Sequence, residues 1–181
     1  MFDVLSFVDE IYESPLPSRE QMVRRQLSVN GMTLDVHLSG AYGHNISASS
    51  PLVSGLTSHS DDQVYLRGLL GEPGPDALRA GRIGIGFCEV CLDSSCGNLA
   101  AATLTLSPSE VLWSEIGLEE EHFGELVPRF RGVFGSFLNR SIPPAEWWTP
   151  DPVEPPLRFT FERAAYVATI EAEIARNSPR S

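Results

Sequence analysis

The chain has 181 residues, 42% of them hydrophobic, and its 24 acidic side chains against 13 basic ones give a formal charge of −11 at neutral pH. That length and apolar share fit one folded domain over residues 1–181 and argue against intrinsic disorder. So acidic a chain lacks the dense cationic surface that displaces counterions from DNA or RNA, so nucleic acid is not an expected partner, and no apolar run is long enough to cross a bilayer.

The opening residues 1–13 carry Val4, Leu5, Val8 and Ile11 at helical spacing and predict a short amphipathic helix. It would stop at Ser14-Pro15-Leu16-Pro17, because proline cannot continue a helix. Asp3, Asp9 and Glu10 interrupt this segment, which has no positive leading region, so it does not read as an export signal. A cytoplasmic location is the expectation, and an odd number of cysteines, three, fits it better than a disulfide scaffold.

Residues 23–29 and 32–38 flank Asn30-Gly31, the dipeptide that best tolerates the positive φ angles of a type I′ turn, and predict a β-hairpin. Residues 39–60, rich in Gly, Ser and Asn, predict a long loop holding His44 and His59. A short helix is predicted over 61–70, capped by Ser60 or Asp61 and ended by Gly71. Next, Ile83, Ile85 and Phe87 alternate with glycines in a strand over 82–88, where glycine on one face signals a close neighbour. Further strands follow over 99–106 and 110–116, joined by Ser107-Pro108-Ser109, and short links make an antiparallel meander the economical arrangement. Glu119-Glu120-Glu121-His122 reads as an acidic solvated turn in preference to a metal fragment. Residues 118–156 are rich in proline and aromatics, with Trp147-Trp148 either covering the core edge or forming a partner surface. An edge strand over 157–161 and a helix over 162–176, capped by Thr160 and striped with Tyr166, Val167, Ile170 and Ile174, close the chain.

The chemistry-bearing feature is Cys88, Cys91 and Cys96, followed by Gly97, between two predicted strands. Two thiolates two residues apart can face one metal ion, and a third can close over it. Zinc in a structural role then needs a fourth donor, which His37, His44, His59 or His122 would have to supply. As a redox pair, Cys88 and Cys91 lack the helix N-terminus that lowers a thiol pKa and are flanked by Glu89 and Asp93, which raise it. The plainest alternative is a set of reduced, partly buried cysteines in a β-connection. No nucleophile elbow, phosphate-binding glycine loop or His-Glu-x-x-His helix is present in the sequence.

Taken together, Leu69-Leu70-Gly71-Glu72, Gly81-Arg82, the cysteine loop, Val111-Leu112-Trp113-Ser114-Glu115 and the terminal Phe159-Thr160-Phe161-Glu162-Arg163-Ala164-Ala165-Tyr166 resemble a family of small bacterial proteins with no established activity. The resemblance covers roughly residues 65–118 and 157–172, departs from the family pattern at Leu92, and implies a shared fold without implying a function.

The expected fold is α+β: an antiparallel sheet, made of a β-hairpin plus a three-strand meander, packed by N- and C-terminal helices. The expected function is that of a non-enzymatic binding or interaction protein, with another protein as partner, no membrane, and zinc at Cys88, Cys91 and Cys96 left open. The alternative is a small thiol- or metal-dependent, oxidoreductase-like enzyme using the same three cysteines. The metal reading predicts stoichiometric zinc in freshly purified protein that is lost in Cys96→Ser. Metal-free protein with three freely titrating thiols contradicts it.

Overall fold

The computed structural model describes residues 1–13, 21–46, 48–52, 59–72, 78, 81–87, 99–121 and 148–177. The fold is α+β, with two antiparallel sheets among the described residues. One sheet has the order β1-β2-β3, with β1 at Leu5–Glu13, β2 at Gln21–Val29 and β3 at Met32–Thr33. The other runs β4-β5-β6-β7, with β4 at Arg82–Gly86, β5 at Leu99–Leu106, β6 at Glu110–Glu121 and β7 at Trp148–Pro152. A further strand, β8 at Phe159–Glu162, pairs with the opening half of β6. The described helices are α1 at Leu34–Tyr42, α2 at His59–Leu69 and α3 at Arg163–Arg176.

The meander forms as the alternation predicts: Ile83, Ile85 and Phe87 all point into the core, and β5 and β6 follow as antiparallel neighbours. The glycine face has the close neighbour its composition implies, since a Cβ placed on Gly86 would lie 2.9 Å from the Cβ of Ala48. Trp113, fully buried on β6, donates from Nε1 to the Tyr166 hydroxyl at 3.1 Å, and that hydroxyl donates to the Leu69 carbonyl at 2.7 Å. This chain of hydrogen bonds ties β6, α3 and the end of α2 together while satisfying every polar atom it buries. Burial pushes the Tyr166 phenol well above its ordinary range, against the Trp113 hydrogen bond. Among the described residues, one hydrophobic cluster draws on both sheets and on α1, α2 and α3.

Several expectations are corrected. The N-terminal helix is strand β1. Its apolar residues fit period 2 as well as period 3.6, with Leu5 and Phe7 buried and Val8 exposed, and its Val, Phe, Ile and Tyr content suits a pleated surface. Pairing with β2 over nine residue pairs, from Leu5 opposite Val29 to Glu13 opposite Gln21, decides between the periods. The Asn30-Gly31 turn is present, both residues at positive φ (54° and 81°), but the second hairpin strand ends after Thr33. Met32, Leu34, Val36 and Leu38 alternate, yet only Leu34 and Leu38, four apart, are buried, and α1 takes over. Helix α1 also claims Ser39–Tyr42 from the predicted loop. Val64 of α2 faces solvent, whereas Leu66 and Leu69 of the same helix are fully buried. The cap of α3 is Glu162, whose carboxylate accepts from the Ala164 and Ala165 amides at 3.1 and 2.7 Å.

The acidic run is also corrected: Glu119, Glu120 and Glu121 belong to β6. Glu119 is buried because Arg82 of β4, itself sealed from solvent, forms an ion pair with it across the sheet. Arg82 further donates to Thr103 Oγ1 at 3.0 Å and to the Glu115 carbonyl at 3.2 Å, and Thr103 Oγ1 donates to the Glu115 carboxylate at 2.7 Å. These contacts hold Glu115 at φ 47°, next to the register shift between Ala101 and Thr103. Removing one member of a buried pair leaves an uncompensated charge, so Arg82→Met should cost about 3–5 kcal/mol in denaturant unfolding. The double variant Arg82→Met with Glu119→Leu should recover most of that loss. A double variant as unstable as the single one would contradict the account.

Candidate functional site

Cys88, Cys91, Cys96, His122 and Trp147 lie outside the described residues. Their surroundings are partly visible. Gly86 of β4 pairs with Ala100 of β5, so the described strands on either side of the cysteines are antiparallel neighbours, as the sequence suggested. The last described residue before them, Phe87, exchanges two backbone hydrogen bonds with Ser49, at 2.8 and 2.9 Å. Of the proposed fourth donors, His37 places Nε2 3.0 Å from the Val29 carbonyl and packs edge-on against Phe159, and His44 places Nδ1 3.1 Å from the Tyr42 carbonyl. His59 opens α2, and Trp148 opens β7. Among the described residues, no group of three or more His, Cys, Asp or Glu side chains is arranged to hold a metal ion.

The site with the most chemistry on the described surface is the hairpin β1–β2. Facing residues alternate between its two sides. On one side lie Leu5, Phe7, Asp9 and Ile11, opposite Val29, Leu27, Arg25 and Val23. The first two pairs enter the core, the third is ionic, and the fourth is apolar and exposed, Ile11 at 73%. Arg25 is fixed from α3: its Nε donates to both oxygens of Glu173 and its Nη2 to Oε2, all at 3.1 Å. Nη1 of Arg25 reaches Asp9 Oδ1 at 3.2 Å, the same oxygen that Arg176 approaches at 3.6 Å. Burial opposes the Arg25 charge, but the Glu173 hydrogen bonds and charge, with those of Asp9, hold its pKa above the usual arginine value.

On the other side, Glu10 Oε2 accepts from Arg24 Nη2 at 2.8 Å, Arg24 Nε at 3.2 Å and Gln26 Nε2 at 3.0 Å. Partial burial would raise the Glu10 carboxyl, but these hydrogen bonds and the Arg24 charge outweigh it and hold the carboxyl below its ordinary value. Gln26 is itself fixed by the Ser50 amide, which donates to its Oε1 at 2.9 Å.

The backbone completes the site. The Asn30 amide donates to the Val4 carbonyl, so Val4, Ser6, Val8 and Glu10 direct their N–H and C=O groups toward β2. The intervening residues Phe7, Asp9 and Ile11 direct theirs away. Arg25, opposite Asp9, confirms this alternation by donating its own amide outward to the Leu52 carbonyl. Among the described residues, β1 pairs with no strand on its outer side between Leu5 and Glu13. Just before it, Asp3 is held by β8 through its bridge to Phe161.

No protein-family model, curated protein or solved structure matches this chain. Sequence reasoning passed over the hairpin because it assigned β1 to a helix. The usable signal was Arg24-Arg25-Gln26 inside a strand opposite Asp9 and Glu10.

Proposed function

We propose that this chain is a non-enzymatic binding protein whose partner is another polypeptide, received at the outer edge of β1. The observation that carries this reading is a nine-residue strand held on one side by β2 and free of a described partner strand on the other. Such an edge offers a row of amides and carbonyls to an incoming extended segment, and backbone hydrogen bonds supply its affinity. The ionic groups support the same reading. The buried Arg82 and Glu119 neutralise each other, as do Arg25 and Glu173, which suits positioning better than proton transfer. In this reading the residues 88–98, with or without a metal at Cys88, Cys91 and Cys96, serve the scaffold, because they link β4 to β5.

The test compares the native chain with Ile11→Pro, which removes one outward amide at a place where an edge strand tolerates proline. Both forms, their folding checked by circular dichroism, are immobilised and exposed to an extract of cells that produce the protein. A polypeptide retained by the native chain, rebinding it as a purified component and losing at least about tenfold in affinity for Ile11→Pro, is the expected result. The same polypeptides on both forms, or none on either, contradict the reading.

A further inference from the structure

We infer that the β1 edge selects an extended segment of the pattern apolar–basic–basic–apolar, lying alongside Val8-Asp9-Glu10-Ile11. This inference rests on the proposed binding role and names the chemistry of the partner. On its other edge β1 already accepts a segment of related chemistry. Opposite Ile11, Glu10, Asp9 and Val8 lie Val23, Arg24, Arg25 and Gln26 of β2. The strand therefore already recognises an apolar residue followed by two arginines, and its outer edge repeats the same sequence of side chains.

The carboxylates have capacity for a second partner. Among the described residues, both arginines that approach Asp9 do so at Oδ1, and every hydrogen bond to Glu10 goes to Oε2. Asp9 and Glu10 are about half exposed, at 53% and 47% of their side chains. An ionised carboxylate has two oxygens and about four lone-pair positions, so each can take a further guanidinium or ammonium. Asp9 and Glu10 project from opposite faces of the strand, which requires basic residues at consecutive positions of an extended partner. Val8, 38% exposed, and Ile11 flank them and call for apolar neighbours. Because the pattern reads the same in both directions, it fits parallel or antiparallel addition.

Charge also argues against a second copy of this chain as the occupant. Antiparallel pairing of β1 with itself about its middle residue sets Asp9 against Asp9, and a shift by one residue sets Asp9 against Glu10. Like charges directly opposite are destabilising, and both chains carry −11. A basic segment meets the opposite condition.

The probes are three labelled peptides with identical threonine-rich flanks and the cores Val-Arg-Arg-Val, Arg-Val-Val-Arg and Val-Glu-Glu-Val, titrated by fluorescence anisotropy against the full chain at physiological ionic strength. The first should bind at least about tenfold more tightly than the second, which has the same charge in the wrong order, and the third should not bind. Ile11→Lys, a change at an exposed side chain, should weaken the first peptide by about tenfold through like-charge repulsion and leave the fold intact. Equal binding of the two arginine peptides would reveal general attraction to an acidic chain and overturn the inference. So would self-association of the free chain that Ile11→Lys abolishes. If no peptide binds while Ile11→Pro still releases a natural polypeptide, the residue pattern is overturned and the edge reading stands.

Discussion

The ion pair between Arg25 and Glu173 joins residues 148 positions apart and determines how the hairpin is carried by the rest of the molecule. Helix α3 turns Tyr166, Ile170 and Glu173 toward the core side, and all three are buried. The first two rungs of that stripe are held by apolar packing. The third is a carboxylate, and a carboxylate is tolerated there only because Arg25 meets it with a forked set of hydrogen bonds. The same guanidinium reaches outward to Asp9 on β1. One arginine thus couples β2, β1 and α3.

The chain has no lysine, so arginine carries the ion pairs among its described residues. Three of its arginines sit where acids from other parts of the chain converge: Arg82 with Glu119 and Glu115, Arg24 with Glu10, Arg25 with Asp9 and Glu173. The buried contacts fix strands in register. The exposed halves of Asp9 and Glu10 remain accessible to solvent, on a strand whose geometry is already set from behind. In the proposed role, preorganisation of this kind lowers the cost of ordering an extended partner.

The meander was legible in the sequence because its apolar residues alternate cleanly and its turn, Ser107-Pro108-Ser109, has one reading. The Asn30-Gly31 turn was legible for the same reason. The segments on either side of that hairpin were not. Residues 4–11 satisfy both helical and strand periods, and the deciding fact is the partner strand, which lies beyond any local window. Residues 32–38 are ambiguous in the opposite sense, since alternation and a four-residue spacing coexist, and burial of Leu34 and Leu38 on one helical face decides it. Glu119 looked solvated because its neighbours are acidic. Its arginine is 37 residues earlier, and no local pattern reports such a pairing.

Amide hydrogen exchange of the free chain, resolved residue by residue in β1, tests the central claim most directly. A strand held on one side and open on the other should alternate, with the Val8 and Glu10 amides protected and those of Asp9 and Ile11 exchanging at least about tenfold faster. Uniform protection from Val8 to Ile11 would mean that the outer edge is already paired, and the account would fail.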